Sequence, residues 1–287
     1  MHRPIFSFIT CTFQCAPFIQ RCYWSLKQQT IQDWEWVVVD DASTDNTQNI
    51  IEELGDPRIR LFRFEKNFGR GVARQYALKQ AEGIWCAIID MDDFCFPDRL
   101  EYAEIARISG YDYFCSAITL IDDHYSVKGV RRFITDTYPR SFPHASVCGN
   151  IDLFRTIGYS KFRFAEDQVM VLTLANNFNG FYCEEPLYVY HENASTSLKG
   201  AFLGNSYCQI VTLKMLRNGT LRFNSNLLKN LIKNIFKIIF LIPFVLYPKA
   251  YLWTLRLRDR MPASNNLLTL ERINFIRECA SFWTKAK

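Results

Sequence analysis

The sequence predicts an α/β protein, a mostly parallel sheet flanked by helices, and three observations predict it. Across the first hundred residues, short apolar runs of strand character alternate with segments of helical spacing, the rhythm of a sheet covered by crossover helices. Two of those runs end abruptly in acid: Val37-Val38-Val39 leads into Asp40-Asp41, and Ile88-Ile89 leads into Asp90, Asp92 and Asp93. Parallel strands present ligand-binding groups at their carboxyl ends, so this is the arrangement such a sheet would use. Finally, 287 residues with 49% apolar and 22% charged side chains suit one large domain or two small ones and exclude a disordered chain.

The elements follow in order. Residues 5–12 read as a strand, and Phe18, Cys22 and Leu26 fall four apart on a helix over 18–28. Residues 35–39, EWVVV, make a buried strand. Ser43 and Thr44 are N-cap candidates for a helix that carries Ile50, Ile51 and Leu54 and stops at Gly55. RLFRF (60–64) is a short strand, 70–81 a helix followed by Gly83, and 85–89 the next strand.

Ten cysteines are present, none spaced CxxC, which removes zinc-ribbon and thioredoxin-like readings. Most lie in apolar sequence and are expected as small buried hydrophobes in a reducing compartment. The N-terminal MHRPIFSFITCTFQ lacks an apolar core with a small-residue cleavage site, so no signal peptide and a cytosolic start are expected. The sequons Asn193-Ala-Ser195 and Asn218-Gly-Thr220 carry no weight in that setting.

The net charge of +5 is unevenly spread. Residues 1–192 hold 26 acids against 19 bases, 193–258 hold ten bases and no acid, and the last 29 residues hold five bases and three acids. An acidic body followed by a wholly basic segment predicts two different partners.

Carboxylates gathered at two neighbouring strand ends repel one another and call for a counter-charge. A divalent cation with oxygen ligands, Mg²⁺ or Mn²⁺, supplies it. A solvated turn with a helix cap before Pro97 explains Asp90–Asp93 alone, but not the second pair at Asp40-Asp41.

At this point the residues resemble a known family, the family 2 glycosyltransferases of GT-A fold. FSFITCTF with its following helix and Gln29-Thr30, VVVDDASTDNT (37–47), NFGRGVARQYALKQAEGIW (67–85) and IIDMDDFCFPDRL (88–100) match its signatures in order. The likeness is strong over about 5–105 and weaker to about 200. It departs where the family often has PTYN and this chain has Cys11-Thr12-Phe13-Gln14, and where Gln75 follows Arg74 in place of Asn.

The resemblance implies that the Thr12 region and Asp40, with Ser43 nearby, contact the nucleotide base. It implies that Asp90 and Asp92 bracket the ribose and a metal-bound diphosphate, with Asp92, Asp93 and His191 as metal-ligand candidates. Which of Asp92 and Asp93 touches the metal stays open. Arg74 would face the diphosphate or hold the acidic loop, a plain surface arginine being the alternative. In FAEDQV (164–169) the likeness makes Asp167 the general base and Glu166 structural, against ordinary acid capping of a helix start. His191, in PLYVYH ahead of Ser195 and Ser197, is matched more loosely, and a structural histidine is its alternative.

Chemistry supports the same parts. Sugar transfer from a nucleotide diphosphate passes through an oxocarbenium-like transition state while charge builds on the leaving group. A cation held by aspartates stabilises that charge, and a carboxylate takes the acceptor's proton.

In LLKNLIKNIFKIIFLIPFVLYPKAYLW (227–253), Lys229, Lys233 and Lys237 share one helical face, and the uncharged run 238–248 falls short of the ~20 residues a bilayer span needs. A basic amphipathic, membrane-associating helix on an anionic surface is expected, against a helix packed on the body. No nucleic-acid motif is present and the segment is too apolar for one.

The resulting expectation is a GT-A catalytic domain over 1–205 and a helical membrane-associating tail over 206–287. The protein would be a peripheral enzyme of the cytoplasmic side of the inner membrane. It would be an inverting, metal-dependent transferase using a nucleotide-sugar, UDP-linked donor on a lipid-linked or cell-surface glycan. A nucleotidyltransferase lacks support because no Gly-rich loop follows the first strand. An inactive glycan-binding relative is disfavoured by the intact acids.

Overall fold

The computed structural model describes residues 2–135, 138–162, 164–192, 198–246 and 268–285. Strands β1 (Phe6–Thr12), β2 (Trp34–Asp40), β3 (Ile59–Arg63) and β4 (Trp85–Ile88) alternate with helices α1 (Ile19–Lys27), α2 (Thr47–Glu53) and α3 (Arg70–Gln80). The strands lie in the order β3-β2-β1-β4, all parallel, with Thr12 opposite Asp40. Every residue of β2 is buried, as a strand covered on both faces must be.

Side-chain alternation sorts these strands onto two cores. Phe6, Phe8, Trp36, Val38, Trp85 and Ala87 face α1, where Ile19, Cys22 and Leu26 meet them. Ile9, Val37, Val39, Cys86 and Ile88 face the other way, onto Ala73, Ala77 and Leu78 of α3. Each large side chain so buried stabilises the fold by ~1.5–3 kcal/mol before entropy is counted. Gln29 closes the end of α1: its Nε2 donates to the Phe96 carbonyl at 2.9 Å and its Oε1 accepts from the Leu100 amide at 3.2 Å. That buried amide ties α1 to the segment just after the acidic cluster.

Later elements are β5 (Phe94–Cys95), α4 (Arg99–Ile108), β6 (Tyr113–Ile121), β7 (Val127–Arg131), β8 (Cys148–Asn150), α5 (Ile151–Ile157), α6 (Gln168–Asn177) and β9 (Gly180–His191). Here the expectation of a mostly parallel sheet is corrected. β8 runs antiparallel to β4 and β6, β7 antiparallel to β6, and β5 antiparallel to β9, while β6 and β9 pair in parallel. The sheet is mixed because β6 returns directly through a hairpin rather than through a helix. Asp122 closes that hairpin by accepting from the amides of His124 and Ser126, both at 2.9 Å.

Helix α2 starts at Thr47, later than Ser43 and Thr44 suggest, because Ser43 is spent on Asp40. At the C-terminal side, α7 (Leu198–Arg217) packs on α6 and α8 (Ser225–Leu246). Helix α9 (Leu270–Lys285) returns to α1, with Trp24 and Phe275 ring centroids 4.9 Å apart and Arg272 2.9 Å from Asp98. No helix among the described residues is long and apolar enough to cross a membrane. Ser195, Ser197 and the predicted apolar run beyond residue 246 lie outside the described residues.

Candidate active site

The carboxyl ends of β1, β2 and β4 open onto a cleft of about 400 Å³. Thr12 and Phe13 from the end of β1, Asp41 from β2, Asn67, Gly69, Arg70 and Arg74 from α3 and its approach, and Asp90 and Asp92 beyond β4 all line it. Phe164 and Tyr190 form part of the opposite wall.

Asp41 is the clamp of the first acidic pair. Its Oδ1 accepts from the Phe68 amide at 2.7 Å and its Oδ2 from the Gly69 amide at 2.8 Å. Gly69 adopts φ 93°, a backbone that a side chain would strain. Two residues on, a Cβ at Gly71 would lie 2.1 Å from the Ser160 carbonyl oxygen, so this helix start admits the 160–166 loop only as glycine.

Arg74 is 3% exposed and spans two acids: 2.6 Å to Asp90 Oδ1 and 2.9 Å to Glu166 Oε1. Arg70 adds a contact to Glu166 at 3.2 Å. Burial alone would push the Asp90 carboxyl up, but Arg74 overrides it and holds Asp90 below the usual carboxylate range. Asp92 makes no such ion pair among the described residues, and burial followed by the neighbouring Asp90 charge pushes it upward. The loop beneath is held by Arg21, 1% exposed, which donates to the Asp92 carbonyl and, at 2.6 Å, to the Tyr125 hydroxyl. The rings of Phe18, Phe94 and Tyr125 surround its guanidinium at 5.1–5.4 Å.

The remaining expected residues divide. Thr12, Arg74, Asp90 and Asp92 are brought together on the cleft wall; Asp40, Ser43, Asp93 and His191 are not. Asp40 is buried, accepting from the Ser43 amide at 2.9 Å and the Ser43 hydroxyl at 2.5 Å, with Arg63 3.7 Å away. Asp93 is fully buried, accepting from the Tyr188 hydroxyl at 2.7 Å and the His191 amide at 2.8 Å. Burial, then Asp92 and Asp90, drive its carboxyl well above the usual range. The His191 ring stacks on Tyr125 and its Nε2 lies 3.1 Å from Asp123.

Asp167 stands at the N-terminus of α6, about one-third exposed, beside the cleft residue Phe164 in the same turn. Ala165 at φ 53° turns Glu166 inward to Arg74 and leaves Asp167 outward. His144 Nδ1 lies 4.0 Å from the Asp167 carboxylate, and its Nε2 2.8 Å from the Tyr159 hydroxyl. Burial, with Arg74 adding to it, depresses His144 to about 3, so the ring is neutral.

Sequence reasoning put the Asp40-Asp41 pair at the strand end but gave the base contact to Asp40 rather than Asp41, and it missed Arg21 and His144. The alternation of Trp36 and Val38 continues to Asp40, which puts Asp40 on the α1 side of the sheet and frees Asp41 for the cleft; that parity was available in the sequence. Arg21 sits among apolar residues of α1 and His144 in an irregular stretch, and neither carries a local signal.

Among the described residues no group of three or more His, Cys, Asp or Glu could by itself hold a metal. Asp90 and Asp92 at one wall, the latter pushed upward by burial and by the Asp90 charge, fit a cation that brings its remaining oxygen ligands from a bound diphosphate.

Strand-end acids of this kind on a mixed α/β sheet define a glycosyltransferase of GT-A fold. A family model described as Glycosyl transferase family 2 matches residues 7–167, more than half of the chain, and the chain belongs to that family. It is 42% identical over 77 residues to UDP-Glc:alpha-D-GlcNAc-diphosphoundecaprenol beta-1,3-glucosyltransferase WfgD of Escherichia coli, covering 27% of this chain and 30% of that one. The first curated relatives it matches are each covered over 40% or less of their own length. Among solved structures it resembles S. aureus TarS 1–349 in complex with UDP-GlcNAc, at TM-score 0.60 and 18% identity over 98% of this chain and 81% of that one. It also resembles the mannosyltransferase PcManGT of Pyrobaculum calidifontis in complex with GDP-Man and Mn²⁺, at TM-score 0.63 and 15% identity over 100% and 89%.

Proposed function

We propose that this family 2 enzyme is an inverting transferase. It moves a sugar from a nucleotide-sugar donor, UDP-linked, to a hydroxyl of a lipid-linked or cell-surface glycan. The observation that carries the reading is the Asp90–Arg74–Glu166 chain: Arg74 holds Asp90 on the cleft wall and ties it through buried Glu166 to the turn that carries Asp167. WfgD is named for a UDP-sugar and a diphosphoundecaprenol-linked acceptor, which agrees with this choice.

Thr12, Phe13, Asp41 and Asn67 form the end of the cleft that would take the base and ribose. Asp90 and Asp92 would hold Mn²⁺ or Mg²⁺ against the diphosphate, where the cation supplies Lewis-acid stabilisation of the leaving group. Asp93, with both oxygens bonded, supports the loop, which favours Asp92 as the direct ligand. His191 braces the same loop through its amide. Asp167 accepts the proton of the attacking hydroxyl, and neutral His144 stands beside it without competing for that proton. Attack from the Asp167 side, opposite the held diphosphate, inverts the anomeric carbon.

The basic α8 would hold the protein peripherally on an anionic membrane surface, at the cytoplasmic side of the inner membrane. Exposed Leu228, Ile232, Ile235, Phe236 and Ile239 lie beside exposed Lys229 and Lys233, and residues 193–258 hold no acid to oppose them.

A thermal-shift panel of nucleotide sugars with and without Mn²⁺ tests the central reading. A true donor at 100 times its Kd stabilises the fold by ~2.7 kcal/mol, so one nucleotide class is expected to stand out, and only with the cation. A panel with no cation-dependent shift would overturn the metal-held donor.

A further inference from the structure

A second cavity of about 290 Å³ lies outside the donor cleft, between Ile134, Pro139 and Ser141 on one side and α6, α7 and α8 on the other. It is at the small end of the ~300–1,000 Å³ range of ligand sites. Among the described residues its polar lining is neutral amide and hydroxyl, Ser141, Gln168, Asn205, Thr212, Asn230 and Asn234, with Lys233 as the one charge. Leu172, Leu227 and Leu231, with Ile134, give it aliphatic walls. Amides and hydroxyls that both donate and accept, set against aliphatic surface, suit the alternating hydroxyls and C–H faces of a sugar ring.

Its position points to the role. Gln168 follows Asp167 directly, and Gln168 and Leu172 are one turn apart on α6, about 6 Å along the axis. The α6 wall of the cavity therefore begins at the residue after Asp167 and runs for one helical turn, about the length of one sugar residue. On its α7 side, Tyr207 packs on Phe162 and Phe164 at centroid distances of 5.2 and 6.0 Å, and Phe164 also lines the donor cleft. Tyr207, on a helix that lines the cavity, thus packs against a residue of the donor cleft. α8 presents Leu227, Asn230, Leu231 and Asn234 to the cavity and a different stripe, Leu228, Ile232, Ile235, Phe236 and Ile239, outward.

We propose that this cavity binds the sugar residue that precedes the acceptor sugar, so that the enzyme reads its acceptor as a chain of at least two residues. The inference rests on the glycosyl-transfer reading above. Asn230 and Asn234, joined by a 2.8 Å amide–amide hydrogen bond, form its recognition edge. The same helix faces the surface where a lipid-carried glycan would arrive.

The test uses the full chain, donor with Mn²⁺, and a panel of mono- and disaccharide alkyl glycosides, with donor hydrolysis by water measured in parallel. For at least one disaccharide, kcat/KM is expected to exceed that of its terminal monosaccharide roughly ten-fold, as one or two buried hydrogen bonds provide. Asn230→Ala and Asn234→Ala, and separately the cavity-filling Leu231→Trp, are expected to abolish that gain while leaving donor hydrolysis and donor KM unchanged. A panel with no gain from the second sugar overturns the proposal, as does a gain that survives all three substitutions. Absence of donor hydrolysis by the unaltered enzyme would instead count against the transferase reading itself.

Discussion

Arg74 lies on α3, 3% exposed, between two carboxylates, Asp90 at 2.6 Å and Glu166 at 2.9 Å, the latter also met by Arg70 at 3.2 Å. Removing one partner of a buried ion network leaves uncompensated charge, so Arg74→Met is expected to cost ~3–5 kcal/mol of stability, measured by denaturant unfolding. Arg74→Lys recovers only part of it, since one ammonium does not span both acids as a planar fork does. Asp167→Asn makes the opposite kind of change: a carboxylate about one-third exposed is replaced by an isostere that accepts no proton. It is expected to lower kcat by roughly a hundred- to ten-thousand-fold with donor affinity unchanged. A variant with unaltered kcat would remove Asp167 as the base. At this scale the sequence was most legible where chemistry is strand-borne. Asp90, Asp92 and Thr12 fall on the cleft because short strands point their ends at one edge. Asp93 was less legible, because its inward turn is decided by Tyr188 and the His191 amide, about a hundred residues away along the chain.

The elements that shape the site depend on close approach. α3 begins at Gly69-Arg70-Gly71, where a Cβ at Gly71 would meet the Ser160 backbone at 2.1 Å. Gly71→Ala is therefore expected to destabilise the fold by ~1–3 kcal/mol and to weaken donor binding as well, since the 160–166 loop must withdraw and take Glu166 from Arg74. A second element-scale prediction concerns α8. Co-sedimentation of the full chain with vesicles is expected to be stronger with anionic than with neutral lipid. Lys229→Glu with Lys233→Glu should reverse that preference, each lysine near such a surface being worth ~1 kcal/mol. Equal binding to both vesicle types would remove the membrane reading. Strands and helices of the first hundred residues were readable from periodicity alone, with ends within a few residues. The later sheet was not, because the partners of β6 and β9 are set by long-range packing rather than local pattern.

Across the whole molecule, the cleft is built from the acidic part of the sequence, residues 1–192, and the wholly basic stretch 193–258 follows it, with α7 packed on α6. His144 gives this arrangement a pH signature. Arg74, Arg70, Asp90, Glu166, Asp167 and Tyr159 all act on the ring, and it titrates at about 3 in the fold against 6.5 when free. The unfolded chain takes up that proton below about 6.5 and the folded chain does not until about 3. Stability is thus lost as pH falls through that window, by up to ~1.4 kcal/mol per unit from this group. His144→Phe is expected to flatten the slope between pH 6 and 4 in chemical unfolding.

The central claim is that Asp92, with Asp90, grips a cation shared with a nucleotide diphosphate. Calorimetric titration of the full chain with UDP, and with GDP in parallel, each with Mn²⁺ or with chelator, tests it most directly. One nucleotide is expected to bind at least roughly ten-fold tighter with Mn²⁺, and Asp92→Asn is expected to erase that gain while the chain stays folded, as loss of a charged ligand contact requires. Equal affinity with and without the cation for both nucleotides, or a cation gain that survives Asp92→Asn, would contradict the account.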